Sequence, residues 1–270
     1  MSRVSARDEQ PHDDLWSRRA SSFGSQAAAY AEHRPDYARA AVDWAVGPVR
    51  DRDRLRVLDV GAGTGKLTAM IARLAGPPDA SVVAVEPDPA MLAELRRGQP
   101  EITALAGRAE DIPLPDASVD AVLCGQAAHW FTMDLAEPEI ARVLAPGGVF
   151  AGLWNMVDDR EDWVAGLCRV CPHSATWSGW TAEPRAWPGS ANGGAFFGPA
   201  SRAEFEHGRL RTADSLVATI ATYSRQLVMD PAERDRQLNR ARDYLMSRPE
   251  TARGEFRMPM LTGVLRSVKI

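Results

Sequence analysis

Three glycines at alternate positions, Gly61, Gly63 and Gly65, are the residues whose spacing points most directly to chemistry. They follow a short apolar run, residues 56–60, and precede residues 66–75, where apolar side chains recur at helical spacing. Glycine lets the backbone turn sharply and approach a ligand without a Cβ atom in the way. A helix that begins after such a turn presents free N–H groups. The pattern therefore predicts a strand–loop–helix unit that holds a ligand against its backbone.

Two other nucleotide-binding loops share part of this pattern. A P-loop requires G-x-x-x-x-G-K-[ST], but Val60 stands at its first glycine position and Leu67 at its hydroxyl position. A dinucleotide-binding fingerprint requires G-x-G-x-x-G, but Lys66 stands at its third glycine position. The P-loop fails at two positions. A nicotinamide-dependent oxidoreductase fits the spacing poorly and stays only as an alternative.

Two acidic residues accompany the glycines. Asp59 precedes the loop, and Glu86 ends the next apolar run, 25 residues after Gly61. A carboxylate at the end of a strand beside such a loop can accept hydrogen bonds from both hydroxyls of a ribose. The combination predicts a ligand that contains a nucleoside.

The run hydrophobic-hydrophobic-Asp-x-Gly-x-Gly-x-Gly, residues 57–65, closely resembles motif I of the class I S-adenosylmethionine (SAM)-dependent methyltransferases. Three later segments also resemble parts of that family. Residues 107–113 resemble its adenine-contacting loop, residues 126–131 its loop after the fourth strand, and residues 142–148 its entry to the fifth strand. The resemblance covers residues 20–155 well and residues 156–270 only loosely. It implies that the chain binds SAM and releases S-adenosylhomocysteine (SAH).

The resemblance implies a set of residues that hold the cofactor: Tyr30, Arg34, Asp59, Gly61, Ala62, Gly63, Glu86, Pro87, Ala109, Glu110 and Gln126. In this interpretation the glycine loop lies against the methionine part of SAM, and Asp59 orients the loop or receives the cofactor amino group. Glu86 holds the ribose. Ala109 and Glu110 face the adenine amino group, and Gln126 closes over the methionine end.

An N-terminal stretch that contains Tyr30 and Arg34 resembles the helical cap of one branch of the family, which includes trans-aconitate methyltransferase-like proteins. The resemblance implies that both side chains reach the cofactor carboxylate. The alternative for Arg34 is a surface salt bridge.

Methyl transfer from SAM requires no nucleophilic triad and no metal, because the cofactor supplies the reactivity and the protein binds and orients it. His129 is the candidate general base, since an imidazole titrates near neutral pH. The alternative is that His129, Trp130 and Phe131 form a packing motif that shapes the pocket. Trp130 and Trp154 are also assigned to the substrate pocket. A small-molecule acceptor is expected, and a catalytically silent SAM-binding or partner-binding module is the main alternative.

The elements that position these residues alternate between strand and helix. Predicted strands cover residues 56–60, 81–86, 102–106, 119–124, 149–154 and 256–268, and predicted helices cover 66–75, 88–97, 137–144, 214–224 and 230–247. Such alternation predicts a Rossmann-like, doubly wound α/β fold with a mostly parallel seven-stranded sheet. The predicted organisation is a flexible tail (1–20), a helical cap (21–50), the SAM-binding core (51–155), and a substrate-binding lid with the C-terminal strands (156–270).

Residues 155–200 carry four tryptophans among glycines, prolines and polar residues: Trp163, Trp177, Trp180 and Trp187. A long irregular stretch in a compact domain is often a functional lid, which would favour a partly apolar or aromatic acceptor. The alternative is that the tryptophans pack this stretch onto the domain.

Composition limits the remaining possibilities. The chain has 270 residues, a net charge of −4 and 25% charged residues, which does not favour a nucleic-acid partner. The sequence contains no run of about 18 apolar residues, so no membrane span is predicted. No signal-like segment is present either, so a cytoplasmic location is expected. Cys168 and Cys171, with His173 nearby, lack a second ligand pair, so reduced thiols are favoured over a metal site. The oligomeric state stays open.

Overall fold

A computed structural model describes residues 32–75, 81–172, 175–182, 187–189 and 195–270. The strands are β1 (Arg56–Val60), β2 (Ser81–Glu86), β3 (Thr103–Ala106), β4 (Val119–Gly125), β5 (Leu144–Val157), β6 (Ser201–Arg211) and β7 (Phe256–Val268). The helices are α1 (Arg39–Val46), α2 (Lys66–Ala75), α3 (Pro89–Gly98), α4 (Met133–Val143), α5 (Asp162–Val170), α6 (Trp177–Ala182), α7 (Ala213–Ala221), α8 (Ser224–Leu227) and α9 (Pro231–Met246). Two short 3-10 turns cover Gly47–Val49 and Ala128–Trp130.

The strands form one seven-stranded sheet in the order β3-β2-β1-β4-β5-β7-β6. Strands β1 to β5 pair in parallel, and β7 runs antiparallel to both of its neighbours, β5 and β6. The predicted doubly wound, mostly parallel sheet is confirmed. The strand order reverses between β1 and β4, and sheets of this type bind ligands outside the carboxyl ends of the strands at that point.

Both faces of the sheet are covered, which explains why its central strands are mostly apolar. In β1, Val57 packs with α1 and α2 on one face, and Leu58 packs with α4 on the other. In β4, Leu123 and Val122 alternate in the same way. Successive side chains of a strand point to opposite faces, so a strand buried on both sides is a nearly continuous apolar run.

Helix α3 begins as its sequence predicts. The side chain of Asp88 accepts hydrogen bonds from the N–H groups of Ala90 and Met91, both at 2.9 Å, and Pro89 occupies the first helical position. A carboxylate N-cap followed by proline at the first helical position is a favoured start of a helix. The cap places the first turn of α3 directly after Glu86, at the end of β2.

The predicted boundaries around residues 137–154 were wrong. Helix α4 begins at Met133 and contains Pro138, because its first turn forms before the proline and its buried side chains pack on the sheet. Strand β5 begins at Leu144, which pairs with Val119, and continues to Val157. The register shift that follows this first pair accommodates the Pro-Gly-Gly turn as a bulge in the strand, so the turn does not end the pairing.

Three of the four tryptophans in residues 155–200 are buried. Trp180 and Trp187, 2% and 6% exposed, pack against Trp154 with ring centroids 5.5 and 5.6 Å away. Trp163 packs against Phe256. The glycines and prolines of this stretch predict an irregular structure, but helices α5 and α6 form within it. The packing alternative therefore describes these three residues.

Helices α5, α7 and α9 pack on the ends of β6 and β7 and form a separate apolar cluster. Cys171 is buried in this cluster, and Cys168 lies beside it as a free thiol. Across the described ranges, no group of three or more metal-ligating side chains is found, and His173 lies outside them. None of the helices in these ranges is both long and apolar enough to cross a membrane.

Gly152 occupies a position in β5 where a side chain has no room. A Cβ atom there would collide with the rings of Trp154 and Trp187. We expect Gly152→Ala to lower the free energy of unfolding by about 1–3 kcal/mol, because overpacking forces neighbouring side chains out of their rotamers. Urea unfolding measures the effect. Gly98→Ala is the control, because a Cβ atom added to Gly98 would meet no heavy atom within 4 Å, and equal stability of the two variants would contradict the prediction.

Candidate functional site

The glycine loop connects β1 to α2 and is hydrogen-bonded to β2. The N–H groups of Gly61 and Ala62 both donate to the carbonyl of Val85, at 2.9 and 3.1 Å. Gly61 and Gly63 have φ angles of +67° and +58°, a left-handed conformation that favours glycine. A Cβ atom on Gly61 would lie 2.8 Å from the Cβ of Ala127, whereas a Cβ on Gly63 would meet nothing within 4 Å. The loop therefore leaves open space beside Gly63.

The carboxylate of Glu86 lies at this open space, held by two backbone N–H groups. One oxygen accepts from Gly63 at 2.7 Å and the other from Asp88 at 2.9 Å. Burial raises the pKa of Glu86, and the two N–H bonds oppose that shift. Because the loop and the start of α3 fix both oxygens, the carboxylate has a defined orientation towards the cavity.

A cavity of about 340 Å³ lies at the carboxyl ends of β1, β2 and β4, at the strand-order reversal. Its lining residues are Gly61, Gly63, Glu86, Pro87, Asp88, Met91, Arg108, Ala109, Glu110, Gly125, Gln126, Ala127, Trp130 and Phe131. Seven of the residues that the sequence assigned to the cofactor lie in this lining, together with Trp130. The fold thus brings together four segments that are distant in sequence, one after each of β1, β2, β3 and β4.

Asp59 lies behind the glycine loop and is fully buried. One carboxylate oxygen accepts a hydrogen bond from Thr68 Oγ1 at 2.6 Å. The other oxygen, and the buried hydroxyl of Thr64, find no hydrogen-bond partner among the residues that the structure describes. The pKa of Asp59 is raised to about 7, because burial and the charge of Glu86 together outweigh the Thr68 hydrogen bond, which lowers the pKa. Asp59 and Thr64 thus retain unused hydrogen-bonding capacity directly behind the loop.

The raised pKa of Asp59 predicts a pH-dependent stability. The folded chain holds this proton up to about pH 7, whereas an unfolded Asp releases it near pH 4. Stability from this group is therefore present below pH 4 and lost as pH rises through 7, with a limiting slope of about 1.4 kcal/mol per pH unit. Asp59→Asn removes the titration, so its melting temperature relative to the wild type should rise between about pH 5 and pH 7.5.

Thermal melts across this pH range measure the difference between the two proteins. Thr68→Val is the second variant, because it removes the hydrogen bond that opposes the pKa shift. Its loss of stability should continue to a higher pH than in the wild type. A difference between Asp59→Asn and wild type that is the same at every pH would contradict the prediction.

The loop after β3 closes one side of the cavity. Ala109 is buried, and the Glu110 carboxylate accepts hydrogen bonds from the Thr132 N–H at 2.8 Å and Arg108 Nε at 3.0 Å. Burial alone would raise the pKa of Glu110, but these two bonds outweigh it and the pKa is lowered. Glu110 is thus a fixed, ionised acceptor that links this loop to the start of α4.

Gln126 forms the opposite wall in a strained conformation. Its φ angle is +56°, in the left-handed region that costs a non-glycine residue about 1 kcal/mol or more. Its N–H donates to the Leu153 carbonyl and its side-chain Nε2 to the Asn155 carbonyl, both at 2.9 Å. Strained residues of this kind cluster at functional sites, where the surrounding structure holds them in place.

Three of the residues assigned from sequence lie outside the cavity lining. Arg34 donates to the Thr222 carbonyl at 3.1 Å and lies over the ring of Tyr223, outside the cavity lining. Tyr30 is outside the described residues. Asp59 and Ala62 support the loop from behind. The contact of Arg34 and Tyr30 with a cofactor carboxylate stays a prediction.

His129 and Trp154 also differ from their predicted surroundings. His129 is exposed, and its ring packs against Trp130 with centroids 4.8 Å apart, outside the cavity lining. Its role as a base stays a prediction. Trp154, assigned to the substrate pocket, is 4% exposed and lies in the core, because its position in β5 directs the ring towards Trp180 and Trp187.

The lining also contains residues that sequence reasoning did not assign to the site, among them Asp88, Met91, Arg108 and Gly125. The positions of Asp88 and Met91 could have been predicted from the sequence, because the first turn of a helix that begins directly after Glu86 must face the same cavity. The position of Gly125 could have been predicted in the same way, because it ends β4 and therefore lies at the carboxyl end of a central strand. Its role becomes clear only with the ring of Tyr37, which occupies the space that a Gly125 side chain would need.

Comparison with known proteins identifies this arrangement. A protein-family profile described as a methyltransferase domain matches residues 58–152. An uncharacterized methyltransferase of Mycobacterium bovis is 37% identical over 247 residues, which cover 91% of this chain and 95% of the relative. A methyltransferase-like protein of Schizosaccharomyces pombe is 38% identical over 148 residues, which cover 55% of this chain and 57% of that relative.

Among solved structures, the YcgJ protein of Bacillus subtilis is similar in fold, with a TM-score of 0.50 and 23% identity over 86% of this chain and 99% of its own. The trans-aconitate methyltransferase-like branch stays a prediction. The relative that spans nearly the whole chain, the domain match over β1 to β5 and the glycine loop beside Glu86 agree with one another. The chain belongs to the class I SAM-dependent methyltransferases.

Proposed function

We propose that this protein binds SAM in the cavity between the glycine loop and Gln126 and transfers its methyl group to a small-molecule acceptor. The observation that carries the proposal is the carboxylate of Glu86, which two backbone N–H groups hold at the open space beside Gly63. Such a carboxylate suits the two hydroxyls of a ribose. The cavity volume of about 340 Å³ is in the range of small-molecule and cofactor sites.

The residues present fit SAM at both ends. Ala109 and Glu110 lie on the side where the adenine would bind, and Glu110 is an ionised acceptor for an amino group. At the other end, one oxygen of Asp59 and the hydroxyl of Thr64, which have no hydrogen-bond partner among the described residues, lie behind the loop where the positively charged methionine part would bind. Pro87 follows Glu86 in the lining. A cationic ligand at this place would also favour the ionised form of Asp59.

When bound, SAM supplies a methyl group activated by its sulfonium sulfur. The chain's own contribution is to bind, to orient and to exclude water. Gly61 and Gly63 let the backbone approach closely, while Trp130 and Phe131 line the wall with apolar surface. Holding an acceptor in near-attack geometry supplies several kcal/mol of rate acceleration. His129, exposed beside Trp130, is the residue within this loop that can accept a proton from an acceptor.

Calorimetric titration of the purified protein with SAM, SAH and NADH tests the proposal. We expect micromolar binding of the two adenosyl ligands and none of NADH. Binding of NADH alone would support the oxidoreductase alternative and contradict the proposal. Transfer of radiolabelled methyl groups to a panel of small acids, amines and phenols then tests turnover. Binding of SAM with no turnover on any panel member would favour a silent binding module.

A further inference from the structure

Residues 33–38, here called the strap, cross from the N-terminal part of the chain to α1. Four consecutive backbone carbonyls of the strap each accept a hydrogen bond from a side chain far away in sequence. The pairs are His33 O with Arg211 Nη2 (2.7 Å) and Thr219 Oγ1 (3.2 Å), Arg34 O with Arg209 Nη1 (3.0 Å), and Pro35 O and Asp36 O with Asn155 Nδ2 (3.4 and 3.1 Å). The strap, which is irregular from Arg34 onward, is thus held along its length by β5, β6 and α7.

Asn155 is the centre of a buried polar network at this place. It is 5% exposed, and its side-chain oxygen accepts from Thr262 Oγ1 at 2.7 Å and lies 3.2 Å from His207 Nε2. Thr262 Oγ1 in turn accepts from the N–H of Ala38, in the strap, at 2.9 Å. Burial and the charge of Arg257 lower the pKa of His207 to about 4, so its imidazole is neutral at pH 7. The network therefore joins the strap to β5, β6 and β7 without a buried charge.

The same network touches the cavity wall from behind at two adjacent residues. The main-chain carbonyl of Asn155 accepts from Gln126 Nε2 at 2.9 Å. The ring of Tyr37, in the strap, packs so closely on Gly125 that a Cβ atom there would collide with it. Gly125 and Gln126 both line the cavity, whereas neither Tyr37 nor Asn155 does.

The left-handed conformation of Gln126 requires support, since an uncommon backbone conformation persists only where its surroundings determine it. One source of support is the strap, through Tyr37 on Gly125. The other is the hydrogen bond from the Gln126 side chain to Asn155. Asn155 is the residue common to both, because its amide nitrogen holds the strap and its carbonyl holds Gln126.

We propose that Asn155 is a positioning residue that, together with Thr262, sets the cavity wall at Gly125 and Gln126 by holding the strap against it. The inference rests on the proposed function, because the wall it sets is that of the SAM cavity. It predicts that the strap and the cavity are coupled although they share no lining residue. By reciprocity of linkage, a ligand in the cavity should stabilise the strap, and a loosened strap should weaken the ligand.

The test combines SAH affinity by calorimetry with hydrogen–deuterium exchange of peptides that cover residues 33–38. In the wild type, SAH should slow exchange of the strap. Asn155→Asp keeps the shape and the acceptor oxygen but loses the N–H donors. Thr262→Val keeps the volume but loses the hydroxyl. Both variants should exchange faster in the strap and bind SAH about tenfold more weakly, because a hydrogen-bond partner is left unsatisfied.

Thr262→Ser is the matched control, because it keeps the hydroxyl and should retain both wild-type affinity and wild-type exchange. Circular dichroism and thermal melts select variants that remain folded. A folded Asn155→Asp or Thr262→Val protein with a faster-exchanging strap and unchanged SAH affinity would overturn the role of Asn155. Failure of the wild-type protein to bind SAH is a different result, since it would overturn the proposed function and this inference with it.

Discussion

Gly63→Arg is expected to abolish binding of SAM and SAH. Gly63 lines the cavity, and a Cβ atom there meets no heavy atom within 4 Å, so the new side chain would extend into the ligand's space. Its guanidinium would also place a positive charge beside the Glu86 carboxylate and compete with the ribose hydroxyls for it. We expect calorimetry to detect no heat of binding for either adenosyl ligand at concentrations that saturate the wild type.

The matched control for this variant is Gly254→Arg. Gly254 has a φ angle of +66°, close to that of Gly63, and also has no heavy atom within 4 Å of a Cβ position. Both variants therefore carry a similar backbone strain of about 1–2 kcal/mol, and only one of them blocks the cavity. Full SAH affinity in Gly254→Arg and none in Gly63→Arg is the expected pair of results. Retained affinity in a folded Gly63→Arg protein would place the ligand somewhere else.

Glu86→Ala is expected to weaken SAH binding by about 100-fold. The reason is the loss of two hydrogen bonds between a carboxylate and the ribose hydroxyls, each worth about 1.5 kcal/mol, where about 1.4 kcal/mol corresponds to a factor of ten. An analogue of SAH that lacks the 2′-hydroxyl tests the cause. The wild type should bind this analogue more weakly than it binds SAH, whereas Glu86→Ala should bind the analogue and SAH with equal affinity.

Glu250→Ala controls for the loss of one negative charge. Glu250 is partly exposed and lies 3.7 Å from Arg248, in the turn after α9. This variant should bind SAH as the wild type does. If Glu86→Ala bound SAH with wild-type affinity, the carboxylate would not hold the ribose, and its two N–H bonds would serve the loop alone.

The core of the fold could be predicted because its determinants are local. Strands β1, β2 and β4 are mostly apolar, and each is followed by a turn or cap that identifies its end, as Asp88 does for the start of α3. The glycine loop and Glu86 lie at such ends. The sheet topology places the carboxyl ends of these strands side by side, so the proximity of the glycine loop and Glu86 follows from the strand order.

The remaining features depend on contacts between distant residues. Asn155 meets Pro35 and Thr262 across separations of 120 and 107 residues, and no local pattern indicates either pair. The sequence also contains nothing that places Gln126 in a left-handed conformation, because the carbonyls that hold it belong to β5. The packing of Trp154 in the core could not be predicted for the same reason, since its partners belong to a stretch whose local pattern is irregular.

The position of β7 has a consequence for how the chain reaches this structure during synthesis. This strand is the last of the seven in sequence, yet it lies between β5 and β6 and pairs with both. A ribosome-bound chain that has not yet released residues 256–268 has an unpaired edge on β5 and no neighbour for β6. Unpaired edges of this kind invite association with other chains. The interval before the last strand emerges is therefore when the nascent protein is most exposed to aggregation.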